Sequence, residues 1–304
     1  IVLVVATSVV YRQLQFIKHQ NLGFDRENIL YVPMKRDMFP LYQSLRSALE
    51  ASSVLKNFTV TSELPTNMSS ATYDVEWEGK NMNEQTIFPL MSIDEYFIDV
   101  MDMKLLTGRS FSKEFTADTS NYVINEKALK VMGLDPLVAI GKSFSVNGRR
   151  GTIIGVVRDF HFKPLQQMIE PLIMQLNTFG GFVMVRTQPS DTQATVHELE
   201  RIFGKQTAAY SFEYGFLDQD FEALYNNENR ISTISGVFAG LAIFIACLGL
   251  FGLSAFMAEQ RIKEIGVHKV VGATVCNIVL LLSKGFVQPI LIAMALATPL
   301  AWYL

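Results

Sequence analysis

The 304-residue chain is 49% hydrophobic and only 18% charged, with a net charge of −3. Soluble globular chains usually carry ~25% charged residues, so the composition argues against an ordinary soluble protein. Near-neutral charge without a basic tract excludes electrostatic recognition of nucleic acid, and the two cysteines, Cys247 and Cys276, provide no disulfide framework.

In chain order, residues 1–11 form an uncharged apolar run, too short to span a bilayer by itself. It reads as the end of a transmembrane helix whose beginning is missing, with 1–14 forming that end and its stalk. The chain starts at Ile1 without a basic n-region, so a signal peptide is a poor reading. The pattern then turns polar and helical through Gln20 and stops at Asn21-Leu22-Gly23, where glycine suits a helix C-terminus. From 15 to 228 the chain is expected to form one water-facing domain. Its first elements are a strand at 28–33, a helix at 39–51 and a strand at 54–62, a β-α-β unit.

A strand-rich middle follows. Strands are expected at 72–78 and 86–93 with a turn at Gly79-Lys80-Asn81, then a helix at 94–101 and a turn at 108–111. A strand at 122–125 leads into a helix at 126–132 closed by Gly133. Strands at 143–147 and 151–158 flank Asn147-Gly148, a strong hairpin signal. A second β-α-β unit is read from a strand at 181–186, a helix at 192–203 and a strand at 210–216. An amphipathic helix at 215–229 carries Phe221, Leu224 and Tyr225. The fold class is therefore α+β: two β-α-β units flanking a β-rich middle, inserted between transmembrane α-helices.

No charged residue occurs from 231 to 258. At ~1.5 Å per residue this run exceeds the ~30 Å hydrocarbon core, and it reads as a transmembrane helix. Ser232, Gly236 and Gly240 recur every fourth position, a spacing that lets helices pack closely, although glycine is also common in membrane helices generally. Residues 259–280 form a short charged loop, and a last apolar run at 282–304 reads as a second, truncated transmembrane helix ending on Trp302 and Tyr303. Arg261, Lys263, Lys269 and Lys284 place the short loop inside and the large domain outside.

Segment 259–274 is helical in pattern. Ile262, Ile265 and Val270 can share an apolar side while Arg261, Lys263, Glu264 and Lys269 supply charge. Such a helix either docks into a groove of a cytoplasmic partner or lies on lipid headgroups. The stretch Arg261-Ile-Lys-Glu-Ile-Gly-Val-His-Lys-Val-Val-Gly-Ala-Thr274 resembles the signature of FtsX-like permeases, the MacB type of ABC transporter. His268 departs from the arginine usual there. Tyr11-Arg-Gln-Leu-Gln-Phe-Ile17 with Asn21-Leu-Gly-Phe-Asp25 is similar to the stalk and domain entrance of Bacteroidetes-type members. Ile140-Gly-Lys142 and Ile153-Ile-Gly-Val-Val-Arg-Asp-Phe-His161 resemble the late part of the periplasmic core domain, and Ala246-Cys-Leu-Gly-Leu-Phe-Gly-Leu-Ser254 the span before the coupling helix.

The resemblance implies a non-catalytic permease subunit in a bacterial inner membrane, working as a dimer with a cytoplasmic ABC ATPase and holding its large domain in the periplasm. It implies ATPase coupling through Arg261, Lys263, Glu264, Ile265, Gly266, His268, Lys269 and Gly272, and no cofactor or metal. The competing reading is a membrane sensor or scaffold whose outer domain binds a ligand or cell-wall enzyme without transport. ATP chemistry within the chain is excluded by spacing. Gly141-Lys142-Ser143 mimics the end of a P-loop, but Pro136 stands where its first glycine would be. The four histidines show no ligand spacing, and the Asp159/His161 pair lacks a third partner.

Overall fold

The apolar run Ile29–Pro33 forms strand β1 and leads through a 3-10 turn, Arg36–Leu41, into helix α1, Tyr42–Glu50. The computed structural model describes residues 22–81, 85–163, 165, 167–177, 181–206 and 211–272, with isolated positions at 9, 12, 274, 277, 287, 291–295, 297 and 299. Apart from those positions, the stalk expected at 1–14, the end of the 259–280 loop and the helix expected at 282–304 lie outside the described residues. The side chains of Ser232 and Glu264 do so too. The chain divides into two compact units, residues 21–224 and a second made of 1–20 with 225–304.

In the first unit, α1 is followed by β2 (Phe58–Thr61), β3 (Ala71–Thr72), β4 (Val75–Trp77), β5 (Phe88–Ile93), α2 (Phe97–Val100) and β6 (Leu105–Gly108). Next come β7 (Tyr122–Asn125), α3 (Glu126–Val131), α4 (Pro136–Ala139), β8 (Ser143–Val146), β9 (Arg149–Val157) and β10 (Ile173–Leu176). The unit closes with β11 (Phe182–Arg186), α5 (Thr192–Gln206), β12 (Gly215–Phe216) and α6 (Leu217–Leu224). Among the described residues the strands join one 12-stranded sheet, ordered β12-β1-β11-β2-β5-β10-β7-β9-β8-β4, with β3 on β5 and β6 on β9.

The two β-α-β units interlock. Strand β11 runs antiparallel to β1 from Ile29↔Arg186 to Pro33↔Phe182, and antiparallel to β2 from Phe182↔Thr61 to Val185↔Phe58. Strand β12 pairs with the other edge of β1. Each unit thus brackets one strand of the other, which is a ferredoxin-like arrangement of split β-α-β units. Alternation along the strands sends Leu30, Val32, Phe58, Val60, Val183 and Val185 to one face. There they pack against Leu45 and Leu49 of α1 and Leu199, Ile202 and Phe203 of α5. Ser44 and Ser52 in and after α1 donate to Gln206 and Glu198 of α5, at 2.7 and 2.9 Å.

The second lobe spans residues 71–177. It joins the first through one registered pair, Thr61↔Ile93, among the described residues. Parallel pairings β5–β10 and β7–β9 alternate with antiparallel ones around a core of Trp77, Phe88, Tyr122, Phe144 and Ile153. Asn147 (φ 51°) and Gly148 (φ 75°) make the β8–β9 hairpin turn, whose positive φ at both positions these residue types accept. At the end of the sheet, Lys80 guards edge strand β4. Its ammonium donates to the Val75 carbonyl at 2.6 Å and lies 5.1 Å from the centre of the Trp77 ring.

Several expected boundaries change for physical reasons. The strand expected at 54–62 starts at Phe58. The stretch expected as one strand at 72–78 splits, because Thr72 Oγ1 accepts from the Asp74 amide and turns the chain between β3 and β4. The helix at 94–101 shrinks to α2, since the Asp94 carboxylate is committed to Val60 of β2. Gly108 ends strand β6 instead of opening a turn. A side chain there would run into the Ile154 carbonyl of β9. The strand expected at 210–216 reduces to β12 among the described residues. Strands β6 and β10 and helix α4 form where the sequence pattern predicts no strand or helix.

Candidate functional site

In the second unit, helix α7 runs over Asn226–Gln260, and its stretch Thr233–Gln260 is long and apolar enough to cross a membrane. A helix apolar on every side belongs in a core or in lipid. Here Phe238, Phe244 and Phe251 are 60%, 61% and 75% exposed, so no protein core covers them. Gly236 and Gly240, read as packing positions with Ser232, face open space: an added Cβ would meet nothing within 4 Å.

Helix α7 breaks at Arg261. Its amide bonds back to the Met257 and Ala258 carbonyls, at 3.2 and 3.3 Å, while its own carbonyl accepts from Ile265 at 2.9 Å and starts helix α8, Ile262–Val270. Gly272, with φ 93°, stops α8 as its amide reaches the Lys269 carbonyl at 3.2 Å, the role glycine fills at helix C-termini. The structure therefore gives Gly272 a backbone role. Lys263, His268, Lys269, Val267 and Val270 of α8 are exposed, and Ile265 is half-buried. Gly266 sits mid-helix with no atom near a hypothetical Cβ, although glycine there costs ~1 kcal/mol relative to alanine.

Within the first unit, residues 22–25 and 158–161, from two stretches singled out by their motifs, meet. The His161 amide donates to the Leu22 carbonyl at 2.8 Å. Gly23 has φ 88°, and an added Cβ would lie 2.7 Å from the Asp159 carbonyl and 2.8 Å from Phe160 Cβ. Only glycine combines that backbone with that approach. Phe24 stacks edge-on to Phe160, centroids 5.9 Å apart, and lies 5.7 Å from Phe221 of α6. Arg26 covers the Phe221 ring at 5.4 Å. Arg186 of β11 fixes the entrance further, donating to Asp25 Oδ2 (2.6 Å), the Asp25 carbonyl (2.8 Å) and the Val100 carbonyl (2.8 Å). Burial and the Asp220 carboxylate of α6 both hold the Tyr31 phenol protonated.

Asp159 is occupied by the fold. Its carboxylate accepts from the Lys127 amide at 2.7 Å at the start of α3, and its amide donates to Glu126 at 2.9 Å. Burial pushes the His161 imidazole below its usual range, with Asp159 opposing. No group of three or more metal-ligating side chains converges among the described residues. The P-loop mimic is a turn: Gly141 donates to the Ile153 carbonyl at 2.8 Å, and Lys142 pairs with Glu78 at 2.7 Å. Pro136 opens α4, where its missing N–H costs nothing.

A charged cluster between the lobes had no clear sequence signal, because its members are far apart in the chain. Arg46 of α1 bonds to Glu95 at 2.5 Å and Glu50 at 3.1 Å, and Lys113 reaches both acids, at 3.1 and 3.0 Å. Asp94 is fully buried beside it, accepting from the Thr59 hydroxyl and the Val60 amide. Burial pushes its carboxyl up to about 6.

An α+β domain followed by a helix able to span a membrane and a short charged helix defines a membrane protein that carries a large α+β domain. The model of the MacB-like periplasmic core domain matches residues 1–202 and that of the FtsX-like permease C-terminal region matches 236–304, so the chain belongs to the MacB/FtsX-like family of ABC transporter permeases. It is 24% identical over 207 residues to the ABC transporter permease YknZ of Bacillus subtilis (strain 168), covering 63% of this chain and 50% of that one. To the macrolide export ATP-binding/permease protein MacB of Aggregatibacter actinomycetemcomitans it is 22% identical, covering 67% and 33%. The chain thus matches half or less of the length of these relatives. The solved periplasmic region of MacB from Actinobacillus actinomycetemcomitans aligns at a TM-score of 0.48 and 19% identity, covering 69% of this chain and 98% of that one.

Proposed function

We propose that the chain is part of a non-catalytic permease subunit that converts ATP hydrolysis by a separate cytoplasmic ABC ATPase into movement of a periplasmic domain, for export or for mechanical signalling. In this reading α7 crosses the inner membrane of a bacterium as one of several spans, residues 15–228 lie in the periplasm, and α8 receives the ATPase. The permease works as a dimer, with Ser232, Gly236 and Gly240 packing against another helix, and lipid surrounds α7.

The observation that carries this is the break at Arg261, where a membrane-length helix passes into a short, exposed, basic one. A helix of that kind offers Arg261, Lys263, Glu264, Ile265, Gly266, His268 and Lys269 to a groove, with Gly272 closing the segment. The open space over Gly266 lets a partner backbone come close. The test is co-purification of the full-length protein with its ABC ATPase. Gly266→Pro breaks α8 and Glu264→Lys reverses a charge. Each is expected to reduce bound ATPase at least tenfold while leaving the outer domain folded. Undiminished ATPase binding in both variants would overturn the assignment of α8.

A further inference from the structure

The entrance and exit of the outer domain converge on a segment that belongs to neither. Leu22, Gly23 and Phe24 enter against Asp159, Phe160 and His161, and Phe221 of the exit helix α6 packs on Phe24. All of Leu22, Phe24, Phe160, Phe162 and Phe221 lie in one buried cluster. The segment between them continues directly from β9, the strand that also holds β6, β7 and β8. The Asp159 carboxylate accepts from the Lys127 amide and the Asp159 amide donates to the Glu126 carboxylate, which ties the same segment to the start of α3.

The lobes also meet at Thr61↔Ile93, in the charged cluster around Arg46, and where Arg186 and the Asp25 amide bond to the Val100 and Met101 carbonyls. The route through 158–162 differs from these in touching the entrance and the exit of the domain together, and it is short. It passes from a glycine that admits no side chain, through interlocked rings, into the longest strand of the sheet. Close-packed contacts of this kind transmit displacement instead of absorbing it.

We infer that Gly23, Phe24, Asp159, Phe160 and Phe221 form a transmission joint that moves the two membrane-connected ends of the domain as one body and passes that movement to the second lobe through β9 and α3. This rests on the permease reading above and adds to it the residues through which motion must travel. These are positioning residues.

The experiment uses the full-length permease with its ABC ATPase in nanodiscs, with Cys247 and Cys276 replaced by serine. Spin labels are attached at Leu137→Cys, on the exposed surface of the second lobe, and Ile231→Cys, early in α7. Pulsed EPR reads the distance between them with and without ADP–vanadate. The parent protein is expected to show a nucleotide-dependent shift. Gly23→Ala and Phe160→Leu are expected to abolish the shift while ATP turnover and ATPase binding persist. Phe144→Leu, a comparable loss in the second-lobe core away from the joint, is expected to retain it.

A shift preserved in both joint variants, or lost equally in Phe144→Leu, overturns the joint while leaving the permease reading intact. Absence of any shift in the parent overturns both.

Discussion

Replacing Asp94 by Asn removes an ionisable group that the fold holds in an unfavourable place. The carboxyl is fully buried between β2 and α2 and faces Glu95 as well as Arg46 of α1. The Thr59 hydroxyl and the Val60 amide favour the ionised form, but burial outweighs them and raises the carboxyl from 3.8 to about 6. A folded-state value above the unfolded one means that the native protein binds this proton more tightly. The stabilisation is therefore complete below the unfolded value and is lost as pH rises through the folded one. Closing that gap costs about 3 kcal/mol between pH ~3.5 and ~7. Asn cannot titrate, so the variant lacks this component, whatever constant penalty its amide introduces against Val60 and Thr59. Thermal unfolding of wild type and Asp94→Asn, followed across that pH range by Trp77 fluorescence in a Trp302→Phe background, isolates the component as a difference. Wild type is expected to lose about 3 kcal/mol relative to the variant on going to neutral pH. Parallel pH profiles would refute the assignment of a raised carboxyl at Asp94.

Glu95→Gln leaves Arg46 buried with Glu50 as its remaining acid partner. The expected cost is about 2 kcal/mol, below the ~3–5 of a fully orphaned buried charge, and is read as a lower unfolding temperature at neutral pH. Gly148→Val puts a β-branched residue at φ 75° in the β8–β9 hairpin. It should destabilise the second lobe by at least ~1–2 kcal/mol, visible as faster amide exchange in β8 and β9, whereas Gly148→Asn should be nearly neutral.

What the sequence disclosed tracks how local the physics is. The Asn147-Gly148 turn was legible because positive φ is a demand placed on single residues. Helix α7 was legible because absence of charge over that length has few other meanings, although the helix itself begins before the uncharged run, at Asn226. The two β-α-β units were visible as runs of elements. Their interlocking was not, because pairing Ile29 with Arg186 is decided by packing between distant segments and leaves no mark on either. Strand β10 carries little alternation of its own, and its burial between β5 and β7 is a property of the neighbours. At the candidate site, motifs 21–25 and 158–161 each stood out, but nothing in either announced that they touch. The Arg46–Glu95–Lys113 cluster likewise exists only once α1 and the loop after β5 are brought together.

Lys80 has a consequence for how copies of this domain can meet. An open sheet edge invites another strand, and in a crowded compartment that invitation leads to runaway stacking. By filling the Val75 carbonyl and laying a hydrated charge over Trp77, Lys80 withdraws the acceptor and the apolar surface that an incoming strand would use. A neighbouring copy then finds no strand to extend at this end of the sheet.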